Sequence, residues 1–280
     1  MQTLRLFLRC SIVATVLFAV PLFSSGQTVR SGAGPGPTDA TLLAARDAFR
    51  TDLGGGTTVG ANGSFGGLRR EINWDGVPAA QSAPNNLAAN FFNSNSPRGV
   101  VFSTPGTGFR VSGATTDAGA GQPAAANFGD INATYTATFQ PFSAQRLFTS
   151  LGSNITDVNF FVPGTSAPSL VKGFGSIFSD VDVSGTATIQ LFDASNNSLG
   201  TFNSPVGSLS FLGVSYPSAV ISRARIISGN AALGAGVNDG GATDLVVMDD
   251  FIYGEPVPEP GTIMLVAFGA MALYGRRRRA

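Results

Sequence analysis

Thr186-Ala-Thr-Ile-Gln-Leu-Phe192, Leu199-Gly-Thr-Phe202, Ser208-Leu-Ser-Phe-Leu-Gly-Val214 and Ala219-Val-Ile-Ser-Arg-Ala-Arg-Ile-Ile227 follow one another, the first three separated by turn residues at Asn196-Asn197 and Pro205-Val-Gly207. Each run is short, rich in β-branched and aromatic residues, and too brief for a stable helix; together they read as consecutive antiparallel strands. Working outward, Val171–Val183 and Asp157-Val-Asn-Phe-Phe-Val162 precede them, and Asp244–Tyr253 follows after the turn Asn238-Asp-Gly-Gly241. Strands with a turn about every ten residues predict an all-β body over 38–254, a β-sandwich or jelly roll. No repeat of 20–50 residues is visible, which argues against a solenoid or propeller.

The first half carries weaker signals. Residues 27–37, with Ser31-Gly-Ala-Gly-Pro-Gly-Pro37, predict a flexible linker. Thr38 or Asp39 then caps a short helix through Thr41–Leu53. Leu42, Ala45, Phe49 and Leu53 share one face there, and Gly54-Gly-Gly56 ends it. That helix is expected to pack on a sheet as a strap. Arg69–Trp74 predicts a strand, Gly99–Ser103 and Gly108–Ser112 a hairpin around Pro105-Gly106, and Gly113–Ala126 a mobile loop. Thr134-Tyr-Thr-Ala-Thr-Phe139 alternates with period two and predicts another strand.

Composition removes several functions. The chain has no histidine, which excludes Ser-His-Asp and Cys-His nucleophiles and argues against zinc. Its one cysteine, Cys10, lies in the leader, so thiol chemistry and disulfides are absent from the remainder. The overall formal charge of zero conceals a split. Between Gln27 and Glu259 there are eleven Lys plus Arg and seventeen Asp plus Glu, a net −6. A mildly acidic body is not a nucleic-acid partner.

Both ends read as export signals. Arg5 and Arg9 precede the apolar run Ser11–Phe23, and Ser24-Ser-Gly26 supplies small residues for cleavage, so 1–26 predicts a secretory signal peptide. At the other end, Pro258-Glu259-Pro260 precedes an uncharged stretch over 261–275 and the cluster Arg276, Arg277, Arg278 and Arg279. A 15-residue helix is ~22 Å long, a short transmembrane helix that tolerates snorkelling arginines and local bilayer thinning. The arginines favour a cytoplasmic C-terminus, leaving the body outside.

This order of parts over 255–280 resembles the PEP-CTERM sorting signal. The resemblance implies an exosortase as partner, together with the secretion machinery, and processing near Pro258-Glu259-Pro260. It further implies transient anchoring by the C-terminal helix, then release to the surface or surroundings of a cell that makes exopolysaccharide. The body resembles an uncharacterised group of exported bacterial proteins through Arg70-Glu-Ile-Asn-Trp-Asp-Gly-Val-Pro78, Ser96-Pro-Arg-Gly-Val100, Gly173–Asp182 and Val247–Pro256. That resemblance implies a β-sandwich and no particular activity.

Two acidic pairs stand out. Asp249 and Asp250 interrupt the apolar strand Leu245–Tyr253, and neighbouring residues of a regular strand point to opposite faces. A buried one needs an arginine, backbone N–H groups or a cation. Arg223 and Arg225 are the candidate arginines; the alternative is a structural calcium, which takes oxygen ligands. The Asp-Asp strand is similar to that of calcium-bearing jelly-roll carbohydrate-binding modules. Asp180 and Asp182 are spaced to share a strand face and to form half of such a site, or else a solvated strand edge. Leu191 at the twelfth position rules out an EF-hand.

Glycoside hydrolysis needs two carboxylates across a cleft, and Glu71 with Asp75 beside Trp74 is the available pair. Pairing of Glu71 with Arg69 or Arg70, and Trp74 as a core anchor, is the structural alternative. Glu255 reads as an exposed linker residue. The expectation is an exported, non-enzymatic surface or matrix protein associated with exopolysaccharide. A carbohydrate-binding module with a structural calcium, which needs Phe91, Phe92 and Tyr216 exposed along a groove, and a glycan hydrolase are the alternatives.

Overall fold

The computed structural model describes residues 26–115 and 123–259. In chain order its main elements are β1 (Thr28–Gly34), α1 (Ala40–Asp52), β2 (Ser64–Phe65), β3 (Arg69–Ile72), α2 (Phe91–Ser94), β4 (Val100–Ser103), β5 (Gly108–Val111), α3 (Tyr135–Thr138), β6 (Phe148–Leu151), β7 (Ile155–Phe160), β8 (Ser169–Leu170), β9 (Gly173–Val181), β10 (Thr188–Phe192), β11 (Ser198–Asn203), β12 (Gly207–Ser215), β13 (Arg223–Ile227), β14 (Val247–Gly254) and β15 (Val257–Pro258). The protein is mostly β, with few and short helices. The predicted signal peptide and membrane segment lie outside the described residues, apart from Gly26. Among those described, no helix is long and apolar enough to cross a membrane.

Two antiparallel sheets share one core. The larger runs β1-β12-β9-β14-β3-β2, with β6 also on β14 and β5 on β6; the smaller runs β11-β10-β13-β7-β4. Phe174, Phe178, Leu212 and Met248 from the first sheet meet Val100, Phe102, Val158, Ile189 and Ile226 from the second. At the centre Trp74 stacks on Phe148 at 4.1 Å and meets Phe251 edge-on at 5.0 Å, so the sole tryptophan is a core anchor.

Helix α1 covers the outer face of the larger sheet. Asp39 caps it by accepting from the Thr41 and Leu42 amides, and Leu42, Phe49 and Leu53 pack on Ile177, Leu209, Phe211 and Ile252. The approach is close. A Cβ at Gly213 would lie 2.7 Å from the Phe49 ring, so glycine is what lets Phe49 seat on the sheet.

Four sequence expectations are corrected. Phe91, Phe92 and Tyr216 do not line an open groove: all three are buried in the main core. Residues 27–37 are not a free linker: Thr28–Gly34 pairs in register with Ser215–Leu209 as the sheet's edge strand. Thr134–Phe139 is a helical turn, because Tyr135 and Phe139 stand four apart, a spacing that suits one helix face as well as one strand face. Their rings meet at 5.3 Å, while Ala137 is exposed. Strands β4 and β5 exist but form no hairpin. β4 pairs with β7 in the small sheet and β5 with β6 in the large one, so Thr104–Thr107 is a corner between sheets.

Candidate functional site

β14 is wholly buried, and it contains a β-bulge. Opposite β9, Asp249 faces Ile177 and Phe251 faces Ser176, leaving Asp250 as the extra residue. The bulge changes the parity of the strand. Val246 and Met248 before it, and Phe251 and Tyr253 after it, all join the main core despite their odd separation. On the other side β14 changes partner at the same place: Met248 pairs with Phe148 of β6, and Phe251 with Ile72 of β3.

The gap between β6 and β3 is filled by the segment Phe142-Ser143. Asp249 Oδ2 accepts the Phe142 amide at 2.7 Å and the Ser143 amide at 3.1 Å, and Asp249 Oδ1 accepts the Asp250 amide at 2.8 Å. The Ser143 hydroxyl lies 2.7 Å from Asp250 Oδ1 and 3.3 Å from Asp249 Oδ1. The two carboxylates therefore converge on one hydroxyl instead of pointing to opposite faces. Burial raises both carboxyl pKa values; the charge of Asp250 adds to the rise at Asp249, which goes well above the ordinary range, and the charge of Glu71 adds to the rise at Asp250. Asp75 is pushed up to about 6, first by burial and then by the charge of Asp250.

Asp250 forms the floor of a cleft of about 720 Å³ between α1, the 59–65 turn and Phe142-Ser143. Glu71 lines it, held by Arg50 through Nε to Oε1 at 2.7 Å and Nη2 to Oε2 at 2.8 Å, and by Arg69 on Oε1. Arg69 itself donates to the Gly55 and Gly56 carbonyls and lies 3.9 Å over the Phe65 ring. Arg98 donates to the Glu71 carbonyl, and the Arg46 guanidinium sits 5.3 Å over Phe142. The cleft thus combines guanidinium groups, Asn73, an acidic floor and the half-buried rings of Phe65 and Phe142.

Arg223 and Arg225 do not reach Asp249 or Asp250. Both bind Asp157, at 2.9 Å and 2.8 Å. Burial works against the charged Asp157, but Arg225 and Arg223 outweigh it and hold its pKa below the ordinary value.

Asp180 and Asp182 lie apart from this cleft and gain a third member. Carboxylate oxygens of Asp180, Asp182 and Asp239 lie within 4.8 Å of one another, the type of donor set calcium takes. Asp244 stands beside them, accepting from the Asp182 amide at 3.0 Å and from Thr186 Oγ1. Burial, then Asp239, Asp182 and Asp244, pushes Asp180 up to about 7. Its backbone is left-handed, with φ at 71°. Asp239, Ser143, Arg50 and Arg98 carried no local signal in the sequence, because each reaches its partners only through the fold.

The end of the body is anchored. Glu255 is not an exposed linker residue: its Oε1 accepts from Arg70 Nε at 2.8 Å and Nη2 at 2.7 Å, and its amide donates to the Leu68 carbonyl. Pro256 is buried, and Val257 and Pro258 pair with Leu170 and Ser169 of β8. Glu259, half-buried, is the last described residue, and Pro260 and the arginine cluster lie beyond it.

A family model described as the PEP-CTERM protein-sorting motif matches residues 256–279. The chain carries a PEP-CTERM sorting motif. It is an exported, exosortase-sorted protein, and exosortase is its processing partner. No curated protein matches this chain. Among solved structures, the enzymatically active domain of bacteriophage CBA120 tailspike protein 4 aligns with 61% of this chain and 21% of its own, at 12% identity and a TM-score of 0.28. A superposition that loose transfers neither fold nor activity.

Proposed function

We propose that this is a non-enzymatic surface or matrix protein whose body associates with exopolysaccharide through the cleft above Asp250. The observation that carries the reading is the lining of that cleft. Guanidinium groups, an amide and carboxyls suit multiple hydroxyl contacts, and the rings of Phe65 and Phe142 offer apolar edges to a sugar. Export by the sorting motif supports this reading, since such glycans lie outside the cell.

A non-catalytic role is favoured by how the carboxylates are used. Both oxygens of Glu71 are taken by arginine, and both oxygens of Asp249 accept backbone amides. Of the two acids that line the cleft, Glu71 is engaged by arginine, which leaves Asp250, and one acid does not supply the pair that glycoside hydrolysis uses. The test is titration of the processed protein with alginate, a polyuronate, and dextran, a neutral glucan, alongside the exopolysaccharide of the producing cell. Arg46→Ala, which removes the guanidinium over Phe142, is expected to weaken binding several-fold. Binding unaltered by Arg46→Ala and Asn73→Ala together would move the seat elsewhere. Release of new reducing ends would overturn the non-enzymatic reading.

A further inference from the structure

Three observations meet at the junction between the body and the sorting motif. First, the chain is fixed up to Pro256: Glu255 is held by Arg70 and by the Leu68 carbonyl, and Pro256 is buried. Second, the next two residues lie in a strand, with Val257 opposite Leu170 and Pro258 opposite Ser169. Third, that strand is minimal. It is two residues long, its Val257 is 42% exposed, and Pro258 has no N–H to donate, so the ladder cannot continue through it. The first proline of the Pro-Glu-Pro motif is thus part of the body's own β-structure.

An enzyme that processes a peptide takes it in an extended form and needs its backbone edge free. Here one edge is occupied by β8. We propose that β8 and the sorting enzyme compete for the same segment, so that Val257–Pro258 must peel from the body before the motif is processed. The inference rests on exosortase acting at this motif. The anchors at Glu255 and Pro256 confine the opening to residues 257 onward, which lets the strap detach while the sheets stay closed. β15 then works as a gate between the folded body and its release.

The test uses the full-length chain in its producing cell. Cys10 lies in the leader, so Leu170→Cys with Val257→Cys places the only two thiols of the exported body at directly paired positions. Antiparallel partners stand ~4.5–5.5 Å apart at Cα, within disulfide reach. Precursor-to-product conversion is followed by pulse-chase, oxidised and after dithiothreitol, with single-cysteine controls. The oxidised double variant is expected to convert at least tenfold more slowly than its reduced form. Equal rates in the two states would overturn the gate. A second variant guards against misfolding at Leu170: six Gly/Ser residues inserted between Pro256 and Val257 free the strap and leave Pro258-Glu259-Pro260 and all that follows unchanged. It is expected to be processed at least as fast as wild type, and slower processing would also overturn the proposal. Wild-type conversion that persists in cells lacking the exosortase would instead refute the reading on which the inference rests.

Discussion

Asp180 offers the sharpest test of the electrostatics. Its carboxyl is raised from 3.8 to about 7 by burial and by Asp239, Asp182 and Asp244. A carboxyl raised in the folded state binds more protons there than in the unfolded chain. Stability therefore falls as pH rises from near 4 and levels off above about 7. Roughly three units at ~1.4 kcal/mol each, halved for the solvent that screens a half-buried group, leave ~2 kcal/mol. Asp180→Asn should restore most of that at pH 8 and little at pH 4. Asparagine is the right replacement because it tolerates the left-handed backbone at this position, where alanine would add strain. Thermal unfolding followed by Trp74 emission is the assay, and for a domain of this size ~2 kcal/mol corresponds to ~4–8 °C. Run in calcium and then in EGTA, the same scans show whether a cation offsets the repulsion. In that case wild type gains stability with calcium and the variant does not. A shift in midpoint that is the same at pH 5 and pH 8 would refute the electrostatic account.

Other sites give independent checks. Gly213→Ala should cost ~1–3 kcal/mol by driving a methyl into the Phe49 ring, while Gly76→Ala, with open space around it, should be nearly neutral; denaturant midpoints compare them. Ser143→Ala removes the hydroxyl shared by Asp249 and Asp250 and should cost ~1–3 kcal/mol in the same assay. Asp157→Asn should cost ~1–2 kcal/mol at pH 7 after allowance for solvent screening. Because the folded pKa of Asp157 is lowered, its contribution is present above about 3.8 and lost as pH falls, so the variant's deficit should shrink in acid.

The all-β body was legible wherever a strand is long and lined by large side chains. β9, β10 and β13 fall inside runs marked by alternation or by continuous apolar residues, while β12 exceeds its run by one residue at each end and β14 by one residue, Gly254. What escaped is where packing, not propensity, makes the strand. β1 is Gly/Ser-rich because α1 crosses it closely: a Cβ at Gly32 would lie 2.5 Å from the Thr41 carbonyl oxygen and 3.0 Å from the Ala45 methyl. The composition that reads as a tether is the imprint of a helix on a strand. β4 and β5 failed differently. Turn residues say that the chain bends between Ser103 and Gly108, but not which sheet receives each strand, since the Thr104 hydroxyl bonds the Ile155 carbonyl of a distant segment.

The sorting motif and the sites of the body differ in the same way. An enzyme that reads a peptide needs its determinants in linear order, so Pro258-Glu259-Pro260 and the arginines can be recognised from the sequence. The cleft draws Arg50 from a helix, Glu71 from β3, Ser143 from a loop and Asp250 from β14, and the acidic cluster joins Asp180 to Asp239 across 59 positions. No window of sequence holds either set. The Asp249-Asp250 pair lies between these cases. Its burial follows from the apolar residues on both sides, but its partners depend on the bulge, which rotates Asp250 out of the strand's alternation and lets both carboxyls reach one serine. A regular strand would have divided them between the faces, and only the change of partner strands at Met248 and Phe251 makes room for Ser143.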